Sequence, residues 1–169
     1  MNDPKNESIP PEVAKEIFIL CKVVFESNNR PGQILRLHAL TEWYIDRLLS
    51  ILLRHPEFVL NGSNFTYNQK LRVLQSLNGL PECVVDALRR LSRLRNDCAH
   101  SMYPIISDEQ IYYAAQPIEK EFKLTLQDQE NDGSKMDIFH AYVWSVFYEL
   151  SIAVAPIEKV VDEINSNKV

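Results

Sequence analysis

The chain has 169 residues and 19.6 kDa, 46% hydrophobic and 24% charged, which is enough for one domain with a real core. A net charge of −5 and a sequence pI near 5.4 disfavour a protein that coats nucleic acid indiscriminately, while leaving room for a local basic patch. The polar start MNDPKNESIPPE lacks an apolar signal core. Apolar runs are cut by charged residues before about 18 positions, so no membrane span is expected. Cys21, Cys83 and Cys98 are odd in number and unpatterned, which fits reduced thiols and a cytoplasmic location.

In chain order, residues 1–9 read as a loose tail. Val13, Ile17, Leu20, Cys21 and Val24 recur at helical spacing and predict a helix over 10–27, opened by Pro10-Pro11. Asn28-Asn29-Arg30-Pro31-Gly32 is a break with turn chemistry. A long helix is expected over 32–54, a loop over 56–64 and a shorter helix over 66–77 that stops at Asn78-Gly79. Pro81 stands where a helix-opening proline belongs, and the next helix should reach His100. Ser107 and Gln110 have capping-box spacing and should start another helix. A polar loop is expected over 127–135, then a last helix over 136–164 that Pro156 kinks or splits. No alternating strand pattern of useful length occurs. The expected fold is all-α, a single-domain bundle of about five to seven helices over residues 10–165.

The stretch 82–103, ECVVDALRRLSRLRNDCAHSMY, carries the chemistry. On a helix at ~100° per residue, Val84, Ala87, Leu88, Leu91, Leu94, Cys98 and Ala99 form one apolar stripe with Arg95 at its centre. Arg89, Arg93, Asn96 and His100 share the opposite, polar side. A buried guanidinium needs a partner. The long second helix offers Glu42, on the otherwise apolar line Leu35, His38, Ile45, Leu49 and Leu52, with Asp46 a less well placed alternative. An Arg95–Glu42 contact is therefore expected, inside the bundle or between subunits; a structural ion pair that fixes helix register is its plainer meaning. A regular helix sets Arg95 and His100 ~140° apart, so a shared site needs the helix to end or bend near 97–99, or a second subunit. Such a site could work without metal: imidazole exchanges a proton near neutral pH, and guanidinium holds a phosphate bidentately.

Arg95-Asn96-Asp97-Cys98-Ala99-His100 resembles the R-x(4–6)-H motif of the HEPN superfamily, including the polar residue after the arginine. The order of a long helix with an inward Glu42, a Lys-Leu-Arg-x-Leu helix at 70–74 and then the motif helix is also similar to HEPN domains. Over residues 34–100 the layout is similar, too, to the mannitol operon repressor family, which is regulatory. The HEPN resemblance implies a helical homodimer and a metal-independent endoribonuclease, a toxin or phage-defence effector with RNA as substrate and an antitoxin protein as partner. It implies Arg95 and His100 as the catalytic pair with Asn96 beside them, and Glu42 and Asp97 in support. Arg89, Arg90 and Arg93 would then supply local positive charge toward RNA. Some relatives of that kind carry a modified tyrosine two residues after the histidine; here Met102 stands there, and Tyr103 reads as a packing residue at the helix end.

Other chemistries find no motif. There is no P-loop, no glycine-rich dinucleotide fingerprint, no Gly-x-Ser-x-Gly and no Cys-x-x-Cys, so no cofactor is expected. His38…Glu42 and Asp137…His140 do not make the repeated Glu-x-x-His of a di-iron bundle, so no metal is expected either, and both histidines read as hydrogen-bonded and partly buried. Cys98 reads as packing, and Trp43, Tyr44, Trp144, Phe147 and Tyr148 as core or dimer interface.

Overall fold

Helices start and stop where residues satisfy the end groups a helix leaves open. In the computed structural model, which describes residues 10–61, 65–131 and 137–166, α1 (Pro11–Phe25) opens on its prolines. Helix α2 (Arg30–Leu52) is capped by Asn29, whose side chain accepts from the Gly32 N–H at 2.8 Å. Both α4 (Tyr67–Ser76) and α6 (Asp108–Ala115) begin with the reciprocal bonds of a capping box, Thr66 with Gln69 and Ser107 with Gln110. Helix α5 (Glu82–His100) follows Pro81 directly.

The end of α4 is a Schellman turn: Gly79 N–H reaches Leu74 O at 2.9 Å and Asn78 N–H reaches Gln75 O at 3.1 Å. Asn78 takes the left-handed position at φ 51°, and the glycine follows it because a Cβ there would meet Leu52 Cδ1 at 2.6 Å.

Three expectations need correction. The expected loop over 56–64 contains a single turn, α3 (Glu57–Leu60), started by Pro56; residues 62–64 of it lie outside the described residues. The expected loop over 127–135 is helical as far as Asn131, and residues 132–135 of it lie outside the described residues: a 3₁₀ turn (Gln116–Ile118) leads into α7 (Glu119–Asn131), which Ile118, Phe122 and Thr125 hold by burying one face. Finally, α8 (Ile138–Ser166) runs through Pro156 without a break. The carbonyl that Pro156 leaves without a donor belongs to Ile152, and both residues are exposed, so water can satisfy it. The expected tail 1–9 lies outside the described residues.

Among the described residues the chain is an all-α bundle, with seven helices of eight residues or more and no strand. Helix α2 packs against α1, α4, α5 and α8, and α8 packs against α1, α2, α5, α6 and α7. Tyr44, Phe139, Tyr142 and Phe147 are the largest side chains sealed between them. Of the other aromatics expected in core or interface, Trp144 and Tyr148 are half-buried, while Trp43 is exposed with the Arg47 guanidinium 5.4 Å over its ring.

Arg30, at the first turn of α2, fastens three elements: it donates to Ile106 O at 3.2 Å, to Asp108 at 2.7 Å and to Asp137 at 3.1 Å. It thereby ties the starts of α2, α6 and α8 together. The stretch Ile138–Ile157 of α8, with Glu149 its one charged residue and a mean hydropathy of 1.4, is long and apolar enough to cross a membrane by length and composition alone. Here 56% of it is buried in the bundle, as befits a core helix.

Candidate functional site

Helix α5 buries Val84, Val85, Leu88, Leu91, Ser92, Leu94 and Cys98, and Arg95 lies angularly at the middle of that buried face. It is nonetheless only half-buried, because the bundle opens there into a cleft of about 430 Å³. Helix α2 contributes His38 and Glu42 to this cleft, and the entry to α4 contributes Phe65, Thr66, Tyr67 and Asn68. Helix α5 closes it with Ser92, Arg95 and Asn96.

The expected Arg95–Glu42 contact is not formed. Glu42 Oε1 accepts instead from Lys70 Nζ at 3.0 Å, and Lys70 also reaches Asp46 at 2.7 Å. Lys70 stands on α4, directly against α2, and its short-range geometry to two carboxylates one turn apart outcompetes a guanidinium on α5. Burial alone would lower the ammonium pKa; the two acids overcome that and hold it above the ordinary lysine value. Arg95 is left with one hydrogen bond, to the neighbouring Asn96 Oδ1 at 3.2 Å, and with no carboxylate in ion-pair reach among the described residues. Its positive charge faces a polar cleft.

His38 is 8% exposed and lies against Tyr67, with ring centroids 4.1 Å apart and planes tilted by 33°. Contrary to the expectation of a hydrogen-bonded histidine, its ring makes no hydrogen bond among the described residues. The Thr41 hydroxyl that could have served it is bonded to the His38 carbonyl at 2.9 Å and to Tyr67 Oη at 3.0 Å. Burial pushes the imidazole down to about 4; Glu42 opposes the shift and Arg95 adds to it. The ring is therefore neutral at pH 7, with one donor and one acceptor nitrogen. His140, the other histidine expected to be bonded, stacks on Phe25 at 3.7 Å, and its Nδ1 is buried without a partner.

His100 is exposed at the last turn of α5, which stays helical through it, so the bend that would bring it round to Arg95 within one chain is absent. Asp97 is exposed as well. Cys98 is buried, and burial first and Asp97 second push its thiol pKa up, which suits packing and not nucleophilic attack. Tyr103 is 79% exposed, not packed at the helix end, because the chain leaves α5 at Ser101 in extended conformation.

The arginines expected to face RNA are spread over two sides of α5. Arg89 donates to Asp86 at 3.0 Å and to Gln75 of α4 at 2.8 Å. Arg90 turns the other way, to Tyr113 O and Gln116 Oε1, with its guanidinium 4.3 Å over the Tyr113 ring. Arg93 reaches Tyr113 Oη at 3.3 Å. They brace α5 against α4 and α6 and do not form one patch with Arg95.

Comparison with family models, curated proteins and solved structures finds no match. The site's chemistry is accordingly read from its own residues. Sequence reasoning singled out Arg95, Asn96 and Glu42, which the structure brings to one cleft although Asn96 was expected on the opposite side of the helix from Arg95, and it assigned no site role to His38, Ser92 or Lys70. The signal for Lys70 was available, since it is the one cation on the buried face of an amphipathic helix that otherwise carries Tyr67, Leu71 and Leu74.

Proposed function

We propose that the protein is a metal-independent endoribonuclease of the HEPN type, acting as a homodimer through Arg95, Asn96 and His100, in the setting of a toxin or phage-defence effector held by an antitoxin protein. One observation carries the reading: Arg95 presents an uncompensated guanidinium to a polar cleft on the helix that ends in an exposed His100. Such a guanidinium suits a phosphodiester, which it grips bidentately and whose transition-state charge it stabilises.

In the step proposed, the ribose 2′-hydroxyl gives up its proton to an imidazole, its oxygen bonds to phosphorus, and the P–O5′ bond breaks. The leaving 5′-oxygen takes up a proton from the imidazolium so formed, directly or through water, so a 2′,3′-cyclic phosphate and a 5′-hydroxyl result and the imidazole is regenerated. Arg95 and His100 stand ~140° apart on an unbroken helix, and a second copy would supply the missing group. Met102 and Ile105, each 86% exposed just beyond His100, support a partner at this end.

That same apolar run favours the second reading, a regulator similar to the mannitol operon repressor family that works through protein contacts. The test is purified wild-type protein against His100→Ala and Arg95→Ala, incubated with total RNA in EDTA. Cleavage by the wild type alone, leaving cyclic phosphate ends, is expected. Intact RNA in all three samples would transfer the reading to the regulator.

A further inference from the structure

The cleft holds more unanswered polar groups than Arg95. Ser92 is 5% exposed, lines the cleft beside Arg95, and its hydroxyl makes no hydrogen bond among the described residues. His38, 8% exposed, lines the opposite wall in the same condition. Both side chains are more than nine-tenths buried as residues, yet neither has a protein partner and their polar atoms open into the same cavity, where water or a ligand can bond to them.

The donor set specifies that group. A neutral imidazole offers one donor and one acceptor, and a serine hydroxyl offers the same pair, which matches an alcohol and not a second charge. Glu42, already neutralised by Lys70, is an acceptor suited to a hydroxyl donor. Arg95 calls for an anion. Phe65, 39% exposed at the lip, offers an aromatic edge or face to a base. The cavity, about 430 Å³, falls within the roughly 300–1,000 Å³ of small-molecule sites.

We propose that the α2–α4–α5 cleft is a ribonucleotide-binding site in which Arg95 takes the phosphate and His38 with Ser92 reads the ribose hydroxyls, so that the protein prefers ribose over deoxyribose. The assignment rests on the ribonuclease reading for its choice of RNA, and it adds to that reading a sugar-selecting pocket apart from the proton transfer at His100. A site built to hydrogen-bond a hydroxyl discriminates against the ligand that lacks it, because its own polar groups are then left unpaired. The 2′-hydroxyl is also the group by which RNA is told from DNA.

The probes are inorganic phosphate, adenosine 5′-monophosphate, its 2′-deoxy counterpart and a dinucleotide RNA made uncleavable by 2′-O-methylation of its 5′ sugar, which blocks its single linkage and leaves the 3′ ribose intact. Binding is followed by NMR of the Arg95 Nε–H and the His38 ring, and by calorimetry. Phosphate should move the Arg95 signal alone, while adenosine monophosphate should move both and bind at least tenfold more tightly than its deoxy counterpart. His38→Ala should remove that sugar preference and leave phosphate binding in place; Ser92→Ala should reduce it, and keeps the question answerable if the histidine variant does not fold.

The short RNA tells a polymer site from one for free nucleotides: tighter binding than the monophosphate assigns the cleft to RNA, and weaker binding overturns that assignment. Equal affinity for ribose and deoxyribose, or a His38 ring unmoved at saturation, would overturn the sugar-reading role. Because no arm depends on cleavage, RNA cut without nucleotide binding in the cleft defeats this proposal alone, and nucleotide bound without RNA cut defeats the ribonuclease reading alone.

Discussion

Lys70 and Arg95 approach the same face of α2 from neighbouring helices, yet Lys70 is answered by two carboxylates and Arg95 by none. Lys70 is the more deeply buried, with a side chain 10% exposed, and in that setting a cation without partners would not be tolerated. Arg95 lies where the bundle opens, so water or a ligand can reach it. The difference separates two jobs that sequence spacing merges. The ion pair that fixes the α2–α4 register belongs to Lys70, and this frees the guanidinium on α5 to act on something that is not part of the protein.

Breaking the comparison from the Arg95 side should have the largest effect on chemistry. Arg95→Ala is expected to lower the initial rate of RNA cleavage about 100- to 1,000-fold, the usual cost of losing one group that stabilises transition-state charge. Its melting temperature should stay within a few degrees of wild type, since no ion pair is lost. Lys70→Met reverses the pattern. It strands Glu42 and Asp46 side by side and should cost about 3 kcal/mol, read as a fall of roughly 6–12 °C in melting temperature by calorimetry. Combining it with Asp46→Asn should restore part of that loss, which a double-mutant cycle would measure.

The acid response of His38 sharpens the comparison from the cleft's other wall. Its folded pKa of about 4 lies below the ordinary 6.5, so the folded state binds fewer protons than the unfolded state between these values. Stability from the neutral ring is complete above pH 6.5 and is lost as pH falls toward 4, by about 2 kcal/mol at pH 5. His140, also shifted down by its burial, acts in the same direction. Urea unfolding at pH 7.5 and pH 5 should show this loss, and His38→Gln should reduce it. The smallest effect is expected for His100→Ala, which should change stability by less than about 0.5 kcal/mol because the side chain is exposed at a helix end.

Most of the fold was legible because each helix carries its own boundary residues. Asn29, Thr66 with Gln69, Asn78-Gly79 and Ser107 with Gln110 are local signals, and the structure uses every one of them. Where the reading failed, tertiary packing overrode composition: the polar run after Gln127 stays helical because Phe122 and Thr125 hold α7 against α8, and Pro156 is carried through α8 with its unmatched carbonyl in solvent. The site was legible in part. Periodicity put Arg95 on the inner face of α5 and Glu42 on the inner face of α2, and both line the cleft. Which cation Glu42 would pair with depends on how α4 docks, which spacing within α2 and α5 does not encode. The unpaired state of His38 was likewise invisible, since it arises from the Thr41 hydroxyl bonding to Tyr67 Oη and to the His38 carbonyl.

The most direct test pairs two readouts on one variant. Arg95→Ala and wild-type protein are compared for thermal unfolding and for metal-free cleavage of RNA in EDTA. The account predicts nearly equal melting temperatures and a loss of cleavage of at least 100-fold. A fall in melting temperature as large as that of Lys70→Met would contradict it, as would wild-type cleavage that persists in the variant. The first would make Arg95 a structural cation, and the second would remove it from the chemistry.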